Sequence, residues 1–165
     1  HPACQEALHS TRRRIEALLG ARGERPVDSF HRDLGALMID RCGISRRAED
    51  LRDGLARVSA LEQHFSEEVR VPGEAHGPNA ELEKALRVRD FFGLAQLMLR
   101  DALAREESCG AHFREEHQSA EGEAQRDDAN FAHIAAWEHQ DDAEPIRHSE
   151  PLQFTALQPS TRSYR

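Results

Sequence analysis

Four stretches of the chain place apolar residues at helical spacing, and each is bounded by residues that start or stop helices. The first runs from Gln5 to Leu19, with Leu8, Ile15, Leu18 and Leu19 as its apolar positions. Gly20, Gly23 and Pro26 punctuate the connection to the next helix. The second spans Asp28 to Cys42, where Leu34, Leu37, Met38 and Arg41 recur on one side, and Gly43 is placed to end it in a left-handed conformation. Ser45 is the expected cap of the third helix. Its stripe of Leu51, Leu55, Val58, Leu61 and Phe65 faces away from Arg52, Arg57 and Glu62. After the turn residues Val71-Pro72-Gly73 and His76-Gly77-Pro78, Asn79 caps a long helix predicted from Ala80 to Glu107. Glu81 and Glu83 suit its positive end.

That fourth helix carries Leu82, Leu86, Phe91, Leu94, Ala95, Met98, Ala102 and Leu103, and Phe92, Leu97 and Leu99 widen its apolar surface beyond one stripe. Such a helix packs on several neighbours, or keeps part of its surface for a further domain. Beyond Gly110 the pattern changes. Residues 115–130 are acidic and turn-rich, Phe131 to Trp137 fits neither period, and Glu150 to Leu157 alternates polar and apolar between Pro151 and Pro159. Those last two segments are expected to pair as a small β-hairpin. The fold class predicted is therefore all-α: a bundle of three or four helices over residues 1–114. An acidic, irregular and partly extended tail over 115–165 packs on it or on its partners. The expected core comprises Leu34, Leu37, Leu51, Leu55, Val58, Leu61, Leu82, Leu86, Met98 and Leu103.

Composition agrees with this picture. Aromatic residues make up only 5% of the chain, so an aliphatic core is required, which favours packed helices over a sandwich. The net charge of −8 argues against a nucleic-acid partner, because phosphates need neutralising cations. The basic run Arg12, Arg13, Arg14 is read as a solvated helix face. No apolar run approaches the length needed to cross a bilayer, and the first residues lack the pattern of a signal peptide. A soluble, cytoplasmic protein is the expectation, and the start at His1 suggests a longer parent chain or a processed start. Cys4, Cys42 and Cys109 are odd in number and widely spaced, which points to a reducing compartment and supports no zinc site.

Motifs that carry chemistry are mostly lacking. The sequence contains no glycine-rich dinucleotide fingerprint and no Walker motif. Asp127 and Asp128 are adjacent and read as an acidic surface loop, while His31 and Asp33 read as polar residues at a helix start. One cluster stands out, Glu107-Ser108-Cys109-Gly110-Ala111-His112-Phe113-Arg114, at the expected end of the long helix. A Cys109 nucleophile activated by His112 is one reading. A helix C-terminus disfavours a thiolate, however. The structural reading pairs Glu107 with Arg114, gives Gly110 the turn and lets His112 satisfy backbone groups. Glu107, Cys109, Gly110, His112 and Arg114 are accordingly candidate structural or docking residues, and no catalytic, cofactor-binding or metal-binding residue is assigned.

The same cluster resembles the flavoprotein subunit family of succinate dehydrogenases and fumarate reductases, which includes L-aspartate oxidase. Glu107, Ser108, Gly110, Ala111, His112, Arg114 and Glu115 match the family's Glu-Ser-Arg-Gly-Ala-His signature and its following Arg and acid, with Cys109 where the family has Arg. The stretches Phe30 to Met38 and Cys42 to Arg46, the Asn79-Ala80-Glu81-Leu82 helix start, Asp127-Asp128 and Arg162-Ser163-Tyr164 are similar in the same order. The resemblance implies the C-terminal helical domain and tail of a subunit that interconverts succinate and fumarate through FAD. The FAD- and substrate-binding motifs of that family lie upstream, so the isolated chain is expected to hold no cofactor and to be inactive. Implied partners are the upstream FAD-binding and substrate-capping domains and an iron–sulfur subunit. Membrane association would arise only through the parent complex, at the cytoplasmic face of the inner membrane. Succinate dehydrogenase is the preferred parent and fumarate reductase the alternative. A self-contained helical interaction module with no flavoenzyme role is the competing class.

Overall fold

The structure is a computed structural model that describes residues 1–140, 143–157 and 159–160. The resemblance noted at Arg162 to Tyr164 lies outside the described residues. In chain order the elements are α1 (Pro2–Gly20), β1 (Arg25–Pro26), α2 (Val27–Arg41), β2 (Ser45–Arg46), α3 (Ala48–Glu68) and β3 (Val69–Arg70). They continue with α4 (Ala80–Ala104), β4 (Phe113–Arg114), α5 (Asp128–Phe131), β5 (His133–Glu138) and β6 (Ile146–Pro151). The four long helices fall where the periodicity put them. The chain divides into two compact units, one of residues 1–40 and 54–96, the other of residues 41–53 and 97–165.

The first unit is built on an aromatic trio. Phe30 of α2 meets Phe65 of α3 edge-on, with ring centroids 5.2 Å apart, and Phe65 in turn lies 5.6 Å from Phe92 of α4. Val27, Leu34, Leu37, Val58, Leu82, Ala85 and Val88 are buried with them. β1 pairs in parallel with β3, Arg25 opposite Val69. Gly23 permits this approach, because a Cβ there would overlap the Glu68 carbonyl. Asn79 caps α4 as expected: its side chain accepts from the Leu82 amide at 3.0 Å and donates to the Pro72 and Glu74 carbonyls.

The buried face of α4 is Leu82, Ala85, Val88, Phe92, Ala95, Leu99 and Ala102. Met98, expected in the core, is 55% exposed, and Phe91 and Leu94 also face outward. Period alone could not choose between two apolar faces. The buried one is rich in alanine, which lets neighbouring backbone come close. Leu55, Leu61, Leu86 and Leu103 are half-buried rather than sealed.

The second unit holds the ends of these helices, the β2–β4 pair and the hairpin. β2 and β4 run parallel, Ser45 opposite Phe113 and Arg46 opposite Arg114. β5 and β6 are antiparallel, from His133 opposite Pro151 to Glu138 opposite Ile146. The expected hairpin therefore exists, but its second strand comes earlier than the Glu150 to Leu157 segment. Trp137 on the inner face donates its indole N–H to Asp101 Oδ1 at 3.0 Å, which sets that register. Two local expectations are corrected. Gly43 is not among the glycines with positive φ, and α2 ends at Arg41. Ser45 does not cap α3; it lies in β2 and donates to Glu115 Oε1 at 2.7 Å. The helix instead begins at Ala48, whose amide donates to the Glu116 carboxylate.

Candidate functional site

The cluster following α4 belongs wholly to the second unit and is built from the main chain upward. After Ala104 the chain leaves the helix and makes a tight reversal in which Cys109 and His112 exchange amide–carbonyl bonds of 2.9 and 3.1 Å. Gly110 sits inside that reversal at φ +60°, the left-handed region that glycine enters without a Cβ penalty. The Phe113 amide then donates to the Ile44 carbonyl and the Glu115 amide to Arg46, which docks β4 beside β2.

Three polar side chains here are buried: Glu107, Ser108 and Arg114. Each is satisfied from inside the unit, as burial of polar groups requires. Arg114 reaches the open end of α4 and its Nη1 donates to the carbonyls of Ala102 (3.0 Å), Leu103 (3.2 Å) and Arg105 (3.2 Å). A helix C-terminus leaves its last carbonyls unpaired and slightly negative, so a guanidinium there answers both needs. Its Nε donates to Glu116 Oε2 at 3.2 Å. Ser108 Oγ accepts the Arg114 amide at 2.8 Å and donates back to the Arg114 carbonyl at 3.1 Å.

The expected Glu107–Arg114 pair does not form. Arg105 takes Glu107 instead, through Nε at 2.8 Å and Nη2 at 2.6 Å, while the other carboxylate oxygen accepts the Asp127 amide at 2.9 Å. The reason is geometric: the Arg114 fork is already occupied by carbonyls at the end of α4, and Glu116 lies two residues further along the chain. Gly110 and His112 behave as the structural reading anticipated. His112 Nε2 donates to the Arg105 carbonyl at 2.9 Å, so Nδ1 carries the lone pair that accepts Arg46 Nη1 at 2.6 Å. Burial depresses the His112 pKa below its ordinary 6.5, and the nearby Arg46, Arg114 and Arg105 charges add to that, against an opposing backbone bond. Both ring nitrogens are therefore engaged and the ring is neutral.

Of the remaining candidates, Cys109 is partly exposed and free. His31 and Asp33 are exposed; His31 lies 5.7 Å from the Phe91 ring and Asp33 pairs with Arg25. Asp127 caps the short α5 by accepting the Asn130 amide, and Asp128 binds Arg126. Sequence reasoning missed Arg105, Glu116, Asp101 and Trp137. An Arg two positions before Glu107 and a Glu two positions after Arg114 were the available signals. Among the described residues, no group of three or more His, Cys, Asp and Glu side chains is placed to hold a metal. No helix among them is long and apolar enough to cross a membrane.

The described residues form four long helices, a polar splice after α4 and a hairpin. Solved structures share that fold. A quinol-fumarate reductase with menaquinol molecules matches over 97% of this chain and 27% of that chain, with a TM-score of 0.80 at 24% identity. The apo Sdh1 complex of Mycobacterium smegmatis matches over 91% of this chain and 25% of that one, with a TM-score of 0.72 at 22% identity. The family described as fumarate reductase flavoprotein C-term matches residues 31–164, and the chain belongs to it. The fumarate reductase flavoprotein subunit of Serratia sp. is 29% identical over 99% of this chain. The chain spans 27% of that relative's length.

The start of α4 does not fit the pyrophosphate of the flavin adenine dinucleotide implied for a flavoprotein. A bound pyrophosphate wants free amides at a helix N-terminus beyond a glycine turn. The long helix α4, which follows Gly73 and Gly77, has Asn79 on its Leu82 amide and Glu81 and Glu83 in its first turn. Those carboxylates would repel a phosphate.

Proposed function

We propose that this chain is the C-terminal structural and docking domain of a succinate dehydrogenase flavoprotein subunit, with flavin and substrate chemistry carried by upstream domains. The observation that carries this reading is the occupancy of the Glu107–Arg114 cluster. Its buried charges hold helix ends, a turn and a strand pair, and its imidazole has no free nitrogen to act as a base. His112, the base that would activate a Cys109 nucleophile, has both ring nitrogens engaged elsewhere. Family membership supports the parent class, and the cluster's geometry supports a structural part for this domain in it.

Fumarate reductase is the alternative parent, favoured by the names of the relatives. In either case an iron–sulfur subunit is the expected partner beyond the upstream FAD-binding and capping domains, with the complex at the cytoplasmic face of the inner membrane. The test uses the full-length protein from the parent gene and the 165-residue chain side by side. The full-length protein is expected to retain stoichiometric flavin and to turn over succinate or fumarate, the faster direction deciding between the two parents. The shorter chain is expected to do neither. Flavin co-eluting with the shorter chain, or succinate-dependent dye reduction by it, overturns the reading. Tight binding of the domain to a protein unrelated to flavoenzymes, without affinity for upstream domains, would favour a self-contained interaction module.

A further inference from the structure

Within the second unit an open cleft of about 360 Å³ lies beside the polar splice, with Arg46, Asp101, Arg105 and His112 among its lining groups and Leu97, Met98 and Trp137 as apolar walls. Its charges do not balance. Arg105 is matched by Glu107, and Asp101 takes the Trp137 N–H and lies 3.7 Å from the Arg147 guanidinium. Arg46 donates to the Gly43 carbonyl and to His112 Nδ1, each at 2.6 Å, but among the described residues no carboxylate stands within ion-pair distance of it. A half-buried guanidinium without a counter-charge is costly unless an anion completes it. The two bonds it does make fix its direction, so the site is already organised for a partner. Met98, 55% exposed on the rim, adds an adaptable apolar contact.

We propose that this cleft receives an aspartate or glutamate side chain flanked by an apolar residue, supplied by the part of the same flavoprotein that precedes this domain. The carboxylate meets Arg46 and the apolar neighbour lies against Leu97, Met98 and Trp137. The proposal rests on the reading of the chain as a C-terminal domain. Charge argues for the occupant: one uncompensated guanidinium beside Asp101 suits a single negative charge rather than a dianionic phosphate. The size of the relatives argues for its source, since this chain spans only 27% of the Serratia subunit and most of such a protein lies elsewhere.

The test uses the full-length flavoprotein with a photo-cross-linking amino acid in place of Met98. The expected result is an adduct in an upstream segment that carries Asp or Glu next to an apolar residue. Adducts only to another subunit, only within this domain, or none at all overturn the proposal. The second arm is Arg46→Glu, expected to speed proteolytic release of the domain about tenfold, equivalent to about 1.4 kcal/mol. Arg46 also supports Gly43 and His112, so the loss alone does not separate docking from folding. Reversal of the cross-linked acid to Arg should restore the slow release; failure to restore it overturns the pairing. Bound flavin in the same preparation checks the parent reading independently. Flavin-loaded protein without an upstream adduct sinks the cleft proposal alone, whereas full-length protein that never binds flavin sinks both.

Discussion

Arg114→Ala is the most direct perturbation of the splice. The side chain is 2% exposed, and its Nη1 shares two hydrogens among three carbonyl oxygens at the end of α4. Counting about two charge-assisted bonds at roughly 1.5–3 kcal/mol each gives about 3–6 kcal/mol. The ion pair to Glu116 adds little, because that carboxylate is 40% exposed and such pairs contribute under about 1 kcal/mol. Water entering the vacated space recovers part of the loss, so about 3–5 kcal/mol is expected. For a chain of this size that lowers Tm by roughly 10 °C. Urea denaturation followed by circular dichroism measures it. Arg114→Met is the control: it keeps apolar volume but removes every donor, and should lose nearly as much. Arg114→Lys keeps the charge without the fork and should recover less than half. A loss under about 1 kcal/mol for Arg114→Ala would refute the assignment of those bonds as the hold on the helix end.

Gly110→Ala should cost about 1–2 kcal/mol by equilibrium unfolding, purely through φ, since nothing lies within 4 Å of the added Cβ. Asn79→Ala removes the α4 cap and should cost about 1 kcal/mol in the same assay. Cys109→Ser should leave full-length turnover unchanged; abolished turnover with intact flavin binding would restore the thiol as a chemical candidate. On acidification, His112 has a folded pKa below 6.5, so the unfolded chain binds the extra proton first and stability falls as pH drops below about 6.5. Glu115 and Glu116 are held below their ordinary 4.5. Ser45 and Arg47 do this for Glu115; at Glu116 the raising effect of burial is outweighed by the Ala48 amide and Arg114. Their contribution is complete above about pH 4.5 and lost below it. His112→Gln should flatten only the upper limb of the urea midpoint's pH profile.

The helices were legible because four apolar stripes, an Asn cap and two glycine-proline connections agree with one another. The rotation of α4 was not. Phe91, Leu94 and Met98 form as good a stripe as Phe92, Ala95 and Leu99, and only the neighbours decide which turns inward. Ser45 showed the same limit: a good cap residue upstream of a helix was outcompeted by Glu116, 68 positions beyond Ala48. The cluster from Glu107 to Arg114 was legible as a place but not as a wiring diagram. Arg105 and Glu116 complete it, and both looked like ordinary charges on a helix end and an acidic tail.

Arg114 and Glu116 also explain why the cluster resembles a catalytic centre when read along the chain. Joining a helix C-terminus to the N-terminus of another requires a cation at one and an anion at the other. Arg114 stands at the carbonyl end of α4, Glu116 at the amide end of α3, and the two are bonded to each other. The 107–108 segment is tied to the Gln125 carbonyl and Asp127 amide, so the acidic stretch closes back over the turn. A carboxylate, an imidazole and a guanidinium within eight residues are the groups that acid–base chemistry would use. They are equally the groups that satisfy buried helix ends. What separates the two uses is whether a donor or acceptor remains open, and among the buried groups of this splice the bonds are already made. Arg46, which sits opposite Arg114 in the β2–β4 pair, has no carboxylate partner among the described residues, and an outward-facing role has room to act there.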